Sequence, residues 1–353
     1  MSNKTTPTVF DGHNDVLSKL HRAGGVSANK SFVNGRDGAI DLVSAKAGGF
    51  AGGFFAVYIP SPVDLEDKFD QMTQPPYDLP LPDLIDWEDA FPVVMAQAAI
   101  LFDLEKRGAL VVCRTAADIR AAMAADKMAA VFHIEGAEAI DADLHTLEVL
   151  YQAGLRSLGP VWSRSTIFGH GVPFRYPSNP DIGEGLTDHG VRLIKRCDSL
   201  GIMVDLSHLN EAGFWDVARY SSKPLVATHS NAHAICPHSR NLTDKQLAAI
   251  RESNGMVGLN FAAAFLREDG RMLPDVPLEQ MLRHLDYLIE HLGEDRVGLG
   301  SDYDGAVVPE ELTSCAELPK LRQAMAQHGY DDALIAMLCH ENWLRVLEIT
   351  WGE

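Results

Sequence analysis

Basic residues are scarce in this chain, and paired cysteines are missing. Its 353 residues include 30 Lys and Arg against 49 Asp and Glu, for a formal net charge of −19. Nucleic acid and anionic membrane surfaces call for basic patches, so neither is an expected partner. The five cysteines (Cys113, Cys197, Cys236, Cys315 and Cys339) contain no C-x-x-C pair, which argues for reduced thiols rather than a disulfide framework. No run approaches the roughly 18 apolar residues of a membrane span. The opening MSNKTTPTVFDGHNDV has no apolar stretch of signal-peptide length, and the closing EITWGE is no lipid-anchor tail. These absences make the cytoplasm the expected location. Short repeats, low-complexity tracts and a dividing linker are also missing, so residues 1–353 are expected to form one domain.

What the chain does hold is 46% apolar residues, enough for a large core. Short apolar, β-branched runs alternate with amphipathic helical stretches. The expected strands are Thr8–His13, Gly53–Ile59, Ala129–Glu135, Arg156–Trp162, Ile202–His208, Leu225–His229, Met256–Phe261 and Val297–Asp302. Their continuous apolarity suits parallel strands buried on both faces. Between them, Leu278, Met281, Leu282, Leu285, Leu288, Ile289 and Leu292 form a stripe at helical spacing, with Gly293 where a C-terminal cap belongs. Thr243 and Gln246 form a capping box opening a helix that runs to about Gly255. Eight strand–helix alternations point to a closed (β/α)8 TIM-like barrel, an α/β fold of suitable length. An open doubly wound sheet is the alternative. Pro60–Asp86 and Ser163–Gly190 break the rhythm with Pro, Gly, Asp and Ser. In a barrel both are long βα loops over the C-terminal face, which carries the active site.

Ligand-type residues stand at the ends of several of these strands. In Asp11-Gly12-His13-Asn14-Asp15, alternation along a strand sends His13 and Asp15 to the same side. Ile202–Ser207 leads to His208, Leu225–Thr228 leads to His229, and Ala130–Ile134 leads to Glu135. Each alone is weak, because a single histidine after a strand is more often a turn or core residue. Together they converge on one point if the barrel holds. Three histidines and two carboxylates exceed the needs of one catalytic zinc with an open position. They fit two metals roughly 3.5–4 Å apart, with Glu135 bridging, a hydroxide shared and the pKa of bound water lowered to roughly 7. The eighth strand ends in Asp302 and Asp304; Asp302 is the expected proton carrier, and Asp304 shapes the Asp-Gly turn.

In these segments the chain resembles the membrane (renal) dipeptidases of the metal-dependent amidohydrolase superfamily. The matching stretches are DGHND at Asp11–Asp15, IEG at Ile134–Gly136, MVDLSH at Met203–His208, THS at Thr228–Ser230, SRN at Ser239–Asn241, GSDYDG at Gly300–Gly305 and NWLRV at Asn342–Val346. The resemblance implies a (β/α)8 barrel with two zinc ions, His13 and Asp15 on one, His208 and His229 on the other, and Glu135 on both. It implies Asp302 as the proton-transfer acid and Arg240 as the grip on the free carboxylate of a dipeptide substrate, with L-Xaa-D-Xaa sequences among the substrates. The chain departs from the family at Val161-Trp162-Ser163, where a substrate-binding histidine is usual, and at Asn260-Phe261-Ala262, where a tyrosine often follows N-F. Trp162 can offer one indole N–H, and His170 in Phe168–Gly171 is a candidate to reach in from its loop. His133 is expected to support the ligands rather than to join them. Other metal-dependent substrates (N-acyl amino acids, β-lactams or lactones) and a non-catalytic metal-stabilised binding protein are the alternative functions. The sequence leaves homo-oligomerisation open.

Overall fold

The structure, a computed structural model, describes residues 7–61 and 70–352. Eight parallel strands close around one axis: β1 (Val9–Asn14), β2 (Phe50–Tyr58), β3 (Met128–Glu135), β4 (Leu155–Gly159), β5 (Met203–Val204), β6 (Val226–Ala227), β7 (Met256–Asn260) and β8 (Val297–Gly300). Continuous ladders join β1 through β5 and β6 through β8. Closure comes from two single bridges, Asp205 to Val226 and Asn14 to Tyr303. Two backbone bonds tie the second seam, Asp302 N–H to His13 O at 3.0 Å and Asp15 N–H to Tyr303 O at 2.8 Å. The barrel is therefore sewn at the residues expected to carry its chemistry.

Strand alternation divides the apolar side chains into two layers. Phe10, Phe54, Val131, Met203, Val226 and Met256 fill the barrel interior with Trp343 of the last helix, Asn342–Trp351. The Trp343 indole donates to Leu299 O at 3.0 Å and plugs one end. Outward neighbours such as Phe55, Phe132, Ile134 and Leu299 pack against the surrounding helices. The helix Leu278–Leu292 buries Leu278, Met281, Leu282, Leu285, Leu288 and Leu292 and ends at Gly293 in a left-handed φ of 91°. The Thr243/Gln246 capping box is present, on a helix spanning Asp244–Glu252.

Three features differ from the expectation. The strand Leu110–Val112 adds to the outer edge of β3. The two long loops also pair with each other, as antiparallel strands Tyr77–Leu79 and Phe174–Tyr176. Residues 62–69 of the expected Pro60–Asp86 loop lie outside the described residues. The second loop ends earlier than Gly190, at Thr187, whose hydroxyl caps the helix Asp188–Leu200. Among the described residues no helix is long and apolar enough to cross a membrane.

Candidate metal centre

Strand β3 shows most directly how the sequence aims the site. Val131 points into the barrel, so His133 and Glu135 follow it inward at two-residue intervals. Strand β1 needs a correction to the simple alternation. Phe10 faces the interior, and plain counting from it would turn His13 toward the helices. The pairing of β1 with β2 slips by one residue between Asp11 and Asn14, and such a bulge re-aims the next side chain. His208 turns inward on a left-handed φ of 66°, and Asp302 on one of 59°.

These devices converge on one carboxylate. Glu135 Oε1 lies 3.1 Å from His208 Nε2, 3.3 Å from His229 Nε2 and 3.5 Å from His13 Nε2. His13 Nε2 is also 3.4 Å from Asp15 Oδ2, and the Nε2 atoms of His208 and His229 are 3.1 Å apart. His13, Glu135, His208 and His229 are buried, as is Asp15. Neither ring nitrogen of His13 has a hydrogen-bond partner among the described residues, an expensive arrangement for a buried polar ring unless something else satisfies it. The donor atoms form two separate groups, Glu135 with His208 and His229, and His13 with Asp15 and Asp302. A third group joins His13 and His229 to Asp205. Mixed imidazole and carboxylate donors suit first-row divalent cations, so the residues fit a metal centre.

The electrostatics divide the three imidazoles. Burial pushes the Glu135 carboxyl well above its ordinary range, against the pull of His13. Burial alone would lower His13, but Glu135 and Asp15 outweigh it and raise that imidazole to about 10. His208 and His229 go the other way, driven well below 6.5 by burial and by the positive groups beside them. Both rings are thus neutral at neutral pH, each with one bare nitrogen, as ligands must have.

Around the centre, a cleft of about 1060 Å³ is lined by Asp15, Tyr58, Glu135, Trp162, Phe174, His208, Phe265 and Asp302 among others. Burial raises the Asp302 carboxyl, with His13 opposing, and Asn260 Nδ2 donates to its Oδ2 at 3.0 Å. The Arg240 guanidinium donates to His229 O at 3.1 Å and lies over the Phe265 ring at 5.3 Å, with its Nε unpartnered among the described residues. Trp162 stands beside His208, ring centroids 5.7 Å apart, and beside Tyr58 and Phe174 at 5.2 and 5.6 Å. It is backed by the buried Arg164, which is paired with Glu138. Neither the buried Arg240 nor His170 is part of the cleft lining; the His170 Nδ1 is 3.2 Å from Ser165 Oγ. Asp304 does more than shape a turn: it accepts from Arg36 at 2.8 Å and from Ala39 N–H at 3.1 Å, pinning that loop to the rim. His133 bonds Ser157 at 2.9 Å and lies 3.8 Å from Asp205, supporting the centre from below. Sequence reasoning assigned no role to Asp205, Thr228 or Ser163, which contact the far sides of the ligands. A carboxylate within an otherwise apolar strand run, as at Asp205, was the available signal.

The chain is similar to known proteins over nearly its whole length. A family model described as membrane dipeptidase (peptidase family M19) matches residues 4–351. A Rhodobacter sphaeroides metallopeptidase, solved with a phosphinate mimic of the dipeptide L-Ala-D-Ala, is 55% identical and superposes with a TM-score of 0.96, over 98% of this chain and 100% of that one. A second solved structure, the dipeptidase AC of family M19, is also 55% identical with a TM-score of 0.96, over 99% of this chain and 100% of its own. An uncharacterized protein in the pqqA 5' region of Klebsiella pneumoniae is 48% identical over 75% of this chain and 98% of its own length. With the barrel, the converging donors and a match over nearly its whole length, this chain belongs to the membrane dipeptidase family, the metallopeptidases of family M19.

Proposed function

We propose that the protein is a two-zinc dipeptidase in which His13 and Asp15 hold one ion, His208 and His229 the other, and Glu135 both. The observation that carries this reading is the single Glu135 oxygen within 3.1–3.5 Å of three imidazole Nε2 atoms. A carboxylate so placed is the natural bridge of a binuclear site. When bound, the ions supply Lewis acidity and a water that ionises at roughly neutral pH.

The chain's own residues do the rest. Arg240 takes the free carboxylate of the dipeptide, because a planar guanidinium can make two charge-assisted bonds to it. Asp302, whose affinity for a proton is raised by burial, carries the proton to the departing amine. Asn260 fixes its orientation through the 3.0 Å bond to Oδ2. Trp162, Tyr58 and Phe174 form an apolar wall beside His208 that excludes water and bounds the substrate. Substrates with a D-residue at the C-terminal position are favoured by analogy with the 55% identical relative that binds an L-Ala-D-Ala mimic. The five unpaired, buried thiols support a reducing compartment, the cytoplasm.

The test is a titration of the purified protein with zinc, followed by kinetics on L,L- and L,D-dipeptides and on N-acyl amino acids. Two ions per chain and a kcat/KM preference for dipeptides are expected. The D302N variant should keep both ions and lose turnover by about 10²–10⁴-fold, the usual worth of a positioned acid–base group. A single ion per chain, a preference for N-acyl amino acids, or an active D302N would each overturn the corresponding assignment.

A further inference from the structure

Behind His229 lies a hydrogen-bond chain whose direction can be worked out atom by atom. Asp205 follows β5, and its Oδ1 accepts two backbone N–H groups, from Ser207 at 3.0 Å and from Thr228 at 2.9 Å. Its Oδ2 accepts the Thr228 hydroxyl at 2.6 Å. A threonine hydroxyl has one proton to give, and Asp205 takes it. At the 2.8 Å contact between Thr228 Oγ1 and His229 Nδ1, the oxygen can therefore only accept. The ring must donate, so the proton of the neutral imidazole belongs on Nδ1 and the lone pair on Nε2. Nε2 is the atom 3.3 Å from Glu135 Oε1.

The same residue is held on its backbone side. His229 N–H donates to Ser207 Oγ at 3.1 Å, and its carbonyl accepts from Arg240 at 3.1 Å. The other two imidazoles have no such device. His208 Nδ1 meets Ser163 Oγ at 2.8 Å, a contact that works in either direction. Neither nitrogen of His13 has a hydrogen-bond partner among the described residues.

We propose that Thr228, anchored by Asp205, is a positioning residue that locks His229 into its Nδ1–H tautomer and so sets the affinity of the ion shared by His208, His229 and Glu135. This rests on the assignment of His229 as a ligand. Losing the hydroxyl leaves the ring free to populate the Nε2–H form, which cannot ligate through Nε2, and removes the acceptor that makes the ligand more basic. Partners of this kind typically govern about 10–100-fold in metal affinity.

The test uses metal-free, ¹⁵N-histidine-labelled protein and a chromophoric chelator in competition for zinc. NMR of the wild type should show His229 protonated at Nδ1 and bare at Nε2. T228V, nearly isosteric but without the hydroxyl, should shift it toward the other tautomer and weaken one zinc-binding step by about 10–100-fold. T228S should restore both properties, and T228A replaces T228V if the latter fails to fold. A wild-type His229 protonated at Nε2, unchanged zinc affinity in T228V, or a T228S that binds as poorly as T228V would overturn the proposal. The wild-type stoichiometry, read in the same titration, tests the two-ion assignment separately. A stoichiometry of one would sink that assignment, while the T228V and T228S comparison would still decide the relay on the ion that binds.

Discussion

Gly305 has no catalytic group, yet the structure makes it one of the least replaceable residues at the site. A Cβ built there would lie 2.1 Å from Asp15 Oδ2 and 2.6 Å from Asp302 Oδ1, where ordinary contact begins at 3.4 Å. One carboxylate must retreat by about 1.3 Å and the other by about 0.8 Å, or the turn itself must move. The turn is poorly able to yield. Gly305 and Ala306 N–H both donate to Asp302 O at 3.1 Å, and Asp304 is tied to Arg36 at 2.8 Å. Catalytic geometry tolerates about 0.5 Å, and a misplacement near 1 Å can remove about 100-fold in rate. That is roughly 2.7 kcal/mol in the barrier. G305A should therefore keep its fold, as seen by circular dichroism, while kcat/KM for a dipeptide falls about 100-fold and zinc at the Asp15 position weakens. A variant within threefold of wild type, with both ions bound, would refute the reasoning.

Other expectations follow from neighbouring groups. R240K keeps the charge but loses the planar fork; with a charged hydrogen bond worth about 1.5–3 kcal/mol, kcat/KM for free dipeptides should fall roughly 10–150-fold. Dipeptide amides, lacking the carboxylate, should be indifferent, and an equal loss on both would remove Arg240 from substrate recognition. His284, outside the cleft lining, donates from Nε2 to Leu266 O at 2.9 Å and accepts Ala232 N–H on Nδ1. Burial drives it from 6.5 down to about 4, so below pH 6.5 the unfolded chain binds a proton that the fold refuses. Its contribution is whole above pH 6.5 and declines toward pH 4, by about 3 kcal/mol. Denaturant titrations across that range should show the decline in wild type and a shallower one in H284Q; parallel curves would exclude His284 as a source.

How much of this was legible in the sequence depended on whether a signal was local. The eight strands were legible because each is an apolar run long enough to stand out, even where, as at Met203–Val204, the ladder itself covers two residues. The meeting of the five candidate donors was legible because ligand-type residues close those runs. The aim of His13 was reached by counting alternate positions within β1, whereas the fold uses a register slip between Asp11 and Asn14. A bulge is set by the neighbouring strand and leaves no mark in a six-residue segment. The pairing of Tyr77–Leu79 with Phe174–Tyr176 joins segments about a hundred residues apart through three residues each, too short to carry a period. The hold of Asp304 on Arg36 spans 268 positions, and the contact of Thr228 with Asp205 spans 23. Such partners are chosen by barrel closure, which no single window of sequence contains.

Backbone strain is distributed in a way that supports the functional reading. Six non-glycine residues among those described have positive φ, and three of them, His208, Asp302 and Asp304, line the cleft. Each such position costs on the order of 1–3 kcal/mol and persists only where its surroundings over-determine it. Here they do: Asp302 is bound through Asn260 and through the β1 seam, Asp304 through Arg36 and Ala39, and His208 through Ser163 and through its carbonyl to Val172 N–H at 2.8 Å. Glycine would relieve the strain at any of the three, but only by deleting a donor, an acid or the anchor of the rim. Asp, Asn and His tolerate the left-handed region better than other side chains, which is why donors and acids can occupy these turns at the cleft. The strain is therefore best understood as the structural consequence of bringing strand-end side chains to one cluster of candidate metal donors.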